Sequence, residues 1–222
     1  MRQKLKRFRD NETRTNIIQQ GKEIFETIKG NWNSDYFKNQ QDIVIELGCG
    51  NGEYTVGLAE KFTGKNFVGV DIKGPRIWVG STYAIENDLQ NVAFLRTQIQ
   101  MIDRFFVSGE VSEVWVTFPD PRPRESDAKR RLTSPRFMAL YKSILKEDGW
   151  VKFKTDDTDI FDYTLDLIES DLQVKNLQYT HDLYNSSLLE EHYGVKTKYE
   201  EMFTAKGRRI KYLKFQFLCG QK

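Results

Sequence analysis

Five side chains combine a type and a position suited to a charged, nucleoside-like ligand: Glu46, Asp71, Gln98, Asp120 and Asp156. Glu46 opens the run Glu46-Leu47-Gly48-Cys49-Gly50-Asn51-Gly52. Glycines at alternate positions let the backbone reverse sharply, and let a ligand approach the backbone and its N–H groups. Asp71 ends the apolar run Phe67-Val68-Gly69-Val70, about 20 residues past the glycines, where an acid can accept hydrogen bonds from ribose hydroxyls. Asp120 is flanked by prolines in Phe118-Pro119-Asp120-Pro121, which restrict the backbone around it. A carboxylate held that way is preorganised, as a reacting site requires.

The glycine spacing separates two ligand chemistries. The dinucleotide fingerprint is Gly-x-Gly-x-x-Gly, whereas this chain has Gly-x-Gly-x-Gly. A carboxylate at Glu46 opposes a pyrophosphate but suits a cation, such as the sulfonium and α-ammonium groups of S-adenosylmethionine. Both features disfavour a nicotinamide oxidoreductase.

These residues need a frame. Ile43 to Leu47 is a short apolar run rich in β-branched residues, as in a strand buried on both faces. Further strands are predicted at 66–70, 92–96, 111–117, 149–155, 173–180 and 210–217, with helices near 53–62, 75–87, 99–106, 135–146 and 157–169. Ser134 is placed to cap the 135–146 helix, Pro135 sits in its first turn and Gly149 follows its end. Thr197 to Ala205 reads as a short helix, and 182–196 has no clear period. Near the start, Ile17, Ile18, Ile24, Phe25 and Ile28 predict an amphipathic helix over 15–29, after a mobile basic arm at 1–14. Trp32, Tyr36 and Phe37 lie in a loop and are expected to pack on the core. Ligands of open α/β sheets sit at the carboxyl ends of the strands, and that rim is where all five candidates fall.

At 222 residues, with 39% hydrophobic and 30% charged residues, the chain suits one soluble domain with a full core. No apolar run approaches the ~20 residues needed to span a bilayer. The basic N-terminus has no apolar stretch after it, unlike a secretory signal. Two cysteines, Cys49 and Cys219, suggest neither a disulfide framework nor a metal site. His181 and His192 lack partners at ligand spacing and read as structural or surface residues. A cytoplasmic protein is the expectation. Net charge is only +2, yet basic residues crowd the first nine positions, Arg122 to Arg136 and Lys206 to Lys214. Each cluster alone reads equally as a solvated face; three beside a nucleoside-type motif point to a phosphate-rich partner.

Four motifs in order carry a resemblance. Glu46 to Gly52, then Phe118-Pro119-Asp120-Pro121 followed by Lys129-Arg130-Arg131, then Thr155-Asp156, then Thr197-Lys198-Tyr199-Glu200 before a glycine, resemble the bacterial tRNA (guanine-N7)-methyltransferase family. The likeness runs from about residue 40 to the end. It implies a Rossmann-like class I methyltransferase fold: α/β, a seven-stranded, mostly parallel sheet with an antiparallel last strand, and helices on both faces. It implies one methyltransferase domain over 15–222, S-adenosylmethionine as donor and a variable-loop guanosine of tRNA as acceptor. Neither a metal nor a membrane is implied, and a monomer and a homodimer both fit. By position, Glu46, Gly48, Gly50, Gly52, Asp71, Gln98 and Asp120 resemble the cofactor-binding set, with Asp120 also the catalytic acid. Arg124, Asp156, Thr197, Lys198, Tyr199 and Glu200 resemble the substrate-binding set. Lys129, Arg130 and Arg131 would grip the tRNA backbone. The chain departs from the family at Arg122, Pro123, Arg124 and Asp127, where an aromatic and a lysine-histidine-rich stretch are usual, and at Gln98, where Asp or Asn is usual. The rival readings are a methyltransferase acting on an exocyclic base amine, whose proline-proline-aromatic motif is missing here, and a non-catalytic RNA-binding protein with the same fold.

Overall fold

Strand β2 (Asp42–Leu47) shows how the sequence builds the sheet. Its side chains alternate between two cores, as the two-residue period of a strand requires: Ile43, Ile45 and Leu47 join one cluster and Val44 joins the other. The computed structural model describes residues 2–218. Around β2 lie β1 (Ile17–Gln19), β3 (Lys65–Asp71), β4 (Val92–Arg96), β5 (Val111–Thr117), β6 (Leu145–Thr155), β7 (Val174–Thr180) and β8 (Lys211–Phe217). They form one eight-stranded sheet in the order β1-β4-β3-β2-β5-β6-β8-β7. β1 to β6 run parallel, and β8 is antiparallel to both of its neighbours. The order reverses direction beside β2, which places a crevice at the carboxyl ends of β2 and β5. The α-helices are α1 (Arg2–Thr13), α2 (Glu23–Thr27), α3 (Glu53–Lys61), α4 (Gly74–Glu86), α5 (Pro135–Ile144), α6 (Thr158–Asp171) and α7 (Lys198–Ala205) among the described residues. Among the described residues no helix is long and apolar enough to cross a membrane.

The expected Rossmann-like α/β architecture holds, with one more strand than expected. Where the spacing predicts a helix over 15–29, the chain makes β1 and the short α2. Ile17 and Ile18 are both fully buried and go to opposite cores. Neighbours on opposite faces suit a strand and not a helix, and Gly21, at φ +93°, ends the segment. The 99–106 segment is a 3₁₀ helix over Ile99–Arg104. Helix α5 stops at Ile144, and Gly149 lies inside β6, where the pairing with β5 shifts register. Ser134 occupies the cap position of α5, but its hydroxyl donates to Lys129 O at 3.3 Å instead. Trp32 packs as expected: it stacks on Phe106 at 5.1 Å and donates to Phe105 O at 2.8 Å.

Residues 2–13, read from sequence as an arm, form helix α1 docked on α4. Asn11 is fully buried and donates to Gly74 O at 2.9 Å. The guanidinium groups of Arg7 and Arg14 lie 4.7 and 4.6 Å from the Trp78 ring, whose Nε1 donates to Asp10 Oδ2 at 2.9 Å. The contact uses cation–π stacking and polar bonds. An apolar stripe, the signal that periodicity detects, is not what holds it. Trp78→Ala should therefore free α1. Amide exchange over residues 2–13 is expected to become fast while the sheet stays protected, with a stability loss of about 2 kcal/mol.

Candidate active site

The carboxyl ends of β2, β5 and β6 bring most of the sequence-predicted residues together. Glu46, Gly48, Gly50, Asp120, Asp156, Thr197, Lys198 and Tyr199 line one cavity of about 640 Å³. Asp71 and Gln98 line a second, of about 510 Å³, with Lys129 and Arg130 on its wall. The two cavities share Gly48 and Leu132. Arg124 is exposed and lines neither.

The glycine turn offers room and few donors. Gly48, Gly50 and Gly52 have φ of +78°, +56° and +76°, a region L side chains rarely enter. The N–H groups of Gly48 and Cys49 donate to Val70 O, at 2.8 and 3.1 Å. Gly50 N–H donates to Asp71 Oδ2 at 3.0 Å, and Gly52 N–H to Cys49 O at 2.8 Å. A ligand cannot take these four donors, contrary to the simple expectation for a glycine turn. A pyrophosphate would need them; a cation would not. Gly52 serves packing, since a Cβ there would lie 2.6 Å from the Phe94 ring.

Glu46 is 4% exposed. Its Oε1 accepts from Thr117 Oγ1 at 2.6 Å and its Oε2 from Thr55 Oγ1. Burial pushes its carboxyl up to about 7 despite these bonds. A cationic ligand in the cavity would favour the ionised form, so the donor set fits the sulfonium and ammonium groups of S-adenosylmethionine. Asp71 accepts from Gly50 N–H and from Lys73 N–H at 2.8 Å. Each carboxylate oxygen keeps a further lone pair for a ribose hydroxyl. Gln98 Oε1 accepts from Gln100 Nε2 at 2.6 Å. Burial, then the nearby Glu46 and Asp71, push the Cys49 thiol well up, so it stays protonated and is no nucleophile. Cys219 lies outside the described residues. Among the described residues no cluster of His, Cys, Asp or Glu could hold a metal.

Asp120 sits on a strained loop. Phe118 and Arg122 adopt φ of +45° and +48°, costly for residues with a Cβ. Phe118 N–H donates to Lys154 O at 2.8 Å, which ties the loop to β6. Asp120 Oδ1 accepts from Arg122 N–H at 3.3 Å, and the Asp120 side chain is 69% exposed at the cavity. The sequence shows the prolines; the two left-handed residues around them emerge only in three dimensions.

Two expected site residues turn inward. Glu200 is fully buried and accepts from Lys154 Nζ at 2.8 Å and from Tyr184 Oη at 3.0 Å, with His192 Nε2 at 2.9 Å. Burial would raise its carboxyl, but the bond to His192 and the charge of Lys154 hold it below the usual value. Its oxygens are committed, so it braces α7 and does not face a ligand. Arg131 is likewise buried: it stacks on Tyr163 at 4.3 Å and donates to Arg122 O at 3.2 Å, acting as a strut under the Asp120 loop and not as a phosphate contact. Thr197 caps α7, its hydroxyl accepting from Glu200 N–H at 3.1 Å. His192 is the structural residue expected, and His181 pairs with Asp162 at 2.8 Å on the surface.

Sequence reasoning missed Phe203 and Arg208, which also line the larger cavity. Half-exposed Tyr199 stacks on Phe203 at 6.3 Å, and Phe203 lies 6.0 Å from Phe118. The signal was available: Phe203 follows Tyr199 by one helical turn, on the same face. The three rings make a platform of the kind on which a nucleobase stacks.

Known proteins share this plan. A family model described as "Putative methyltransferase" matches residues 40–213. A tRNA (guanine-N(7)-)-methyltransferase of Cytophaga hutchinsonii is 49% identical over 98% of both chains. One of Christiangramia forsetii is 45% identical over 96% of this chain and 97% of its own. The chain belongs to the tRNA (guanine-N7-)-methyltransferase family. It therefore uses S-adenosylmethionine, a cationic ligand that the site's donor set fits. The solved structure of the 16S rRNA methyltransferase KamB, at 15% identity, aligns over 88% of this chain and 93% of its own with a TM-score of 0.61, and confirms the fold.

Glu46 yields a prediction with a fixed sign. Its raised carboxyl adds no penalty below about pH 4.5, where folded and unfolded forms are both protonated, and costs about 3 kcal/mol above about pH 7. Glu46→Gln should therefore raise the melting temperature of the ligand-free protein at pH 8 and leave it nearly unchanged at pH 4.5. The same substitution should weaken S-adenosylmethionine binding at least tenfold by calorimetry. In the wild type, affinity should fall as pH drops below about 7.

Proposed function

We propose that this protein transfers the methyl group of S-adenosylmethionine to N7 of a guanosine in the variable loop of tRNA, forming N7-methylguanosine. The observation that carries the reading is the juxtaposition, on one cavity, of a buried carboxylate, a strained exposed carboxylate and an aromatic platform. Relatives that match nearly the whole chain bear the corresponding name. When bound, S-adenosylmethionine supplies an electrophilic methyl on a positively charged sulfur.

Guanine N7 has an in-plane lone pair and no proton, so no base is needed to activate it. Alignment is then the main requirement, and the chain's residues serve it. Glu46, in its ionised form, and Asp71 hold the donor. The Tyr199–Phe203–Phe118 rings take the face of a base that has left its stack. Positive charge passes onto the purine during transfer. Asp120, held by the strained loop, is placed to favour that charge over the ground state. Asp156 accepts from the N1–H and amino group of the base. Arg124 and the exposed Lys129 and Arg130 meet phosphates, and the exposed Lys4, Lys6 and Arg9 of α1 offer further cations. In this reading 15–222 is a single methyltransferase domain and 1–14 its RNA-facing segment. The setting is the cytoplasm, and the protein works as a monomer or a homodimer.

The test is label transfer from S-adenosylmethionine to total tRNA, followed by digestion and separation of N7-methylguanosine from methyladenosine. N7-methylguanosine supports the reading; a methylated exocyclic amine, or no product, overturns it. Asp120→Ala should reduce kcat at least ~100-fold while the protein stays folded. Neutralising Lys129 and Arg130 together should weaken tRNA binding and reduce its salt slope by about 1.5.

A further inference from the structure

The Asp156 side chain is 8% exposed although it stands on the cavity wall. Arg208 covers it. One guanidinium nitrogen lies 2.6 Å from Asp156 Oδ2, and the guanidinium rests 5.3 Å from the centre of the Phe203 ring. Arg208 itself is 54% exposed. The main chain at Asp156 is pinned separately, by Lys211 Nζ donating to Asp156 O at 3.0 Å. The backbone under the carboxylate thus has its own anchor; the Arg208 main chain is fixed by its N–H donating to Phe203 O at 3.0 Å, and its guanidinium by the ion pair and the ring.

That arrangement opposes the acceptor role. A carboxylate with one oxygen bound by a guanidinium is a poor acceptor for the paired N1–H and amino donors of a guanine. A half-exposed guanidinium, in turn, has an attractive alternative partner in RNA, because it matches phosphate geometry with two parallel charge-assisted bonds. Exchanging one anion for another leaves the arginine paired at every stage, so the exchange is close to balanced.

We propose that Arg208 masks Asp156 in the free protein, and that an RNA phosphate draws it away, so that the base acceptor opens only once the backbone is engaged. The proposal rests on reading the site as one for a tRNA guanosine. It makes Arg208 a specificity residue: it discriminates against free guanosine, which has the base edge but no phosphate to move the arginine.

The experiment measures guanosine binding and tRNA binding for wild type, Arg208→Ala, Arg208→Lys and the double variant Asp156→Asn with Arg208→Ala. Arg208→Ala should bind guanosine about fivefold tighter than wild type, because the acceptor is uncovered. Its KM for tRNA should rise, and its salt slope should shrink by about 0.7 to 0.9, the value of one phosphate contact. Arg208→Lys should keep the phosphate contact and show a smaller gain for guanosine. The double variant should lose the gain. Unchanged or weaker guanosine binding by Arg208→Ala, or an unchanged salt slope, overturns the proposal. Should Arg208→Ala fail to melt cooperatively, Arg208→Gln, which keeps the side-chain stem, carries the same two expectations. A wild type that makes no N7-methylguanosine in tRNA would overturn the reading of the site itself. A wild type that makes it, with neither change in the variants, would overturn the masking alone.

Discussion

Burying a carboxylate at the end of β2 is the constraint on which the rest of this structure depends. Glu46 is enclosed by the strand below it, the glycine turn beyond it and two threonine hydroxyls. Taking an ionised group out of water is costly unless it is paired, and two hydroxyl donors compensate only in part, which is why the carboxyl rises to about 7. A site that is electrostatically unsatisfied without its ligand is preorganised for a cation. The protein thus carries a local instability that binding relieves, a common exchange of stability for function.

A second buried polar assembly includes Lys154, whose charge also favours the ionised Glu46. Lys154 of β6 lies between Glu200 of α7 and the rings of Tyr54 and Phe118. Its backbone oxygen also fixes Phe118 at the start of the Asp120 loop. One residue thereby couples the sheet, the strained loop and the helix that presents Tyr199. Glu200, Tyr184 and His192 complete the assembly and lock α7 to the preceding segment. Buried polar networks of this kind are strong only when every member is satisfied, and the described bonds satisfy Glu200 on both oxygens.

Strain is placed where it is useful. The left-handed Phe118 and Arg122 bracket Asp120, and Arg131 props the loop from beneath by bonding Arg122 O. A charged triplet that looks uniform in sequence therefore divides its labour. Lys129 and Arg130 face outward, whereas Arg131 lies under Tyr163.

The chain's local patterns were enough for every strand but β1, for the glycine turn and for the rim of acids: an apolar β-branched run in β2, alternate glycines, prolines around Asp120. The sequence by itself also determined the family, through four motifs in fixed order. Tertiary structure alone decided which charged residues reach the cavity. Glu200 and Arg131 turn inward toward partners from distant segments, the buried Lys154 and the half-buried Tyr163. Residues 2–13 dock on the body of the protein through Trp78 and Gly74 of α4, more than sixty residues away, which supply a ring face and a carbonyl that no local window contains. Long-range pairing of polar groups leaves no periodic trace in the chain, and for that reason it had to be seen in three dimensions.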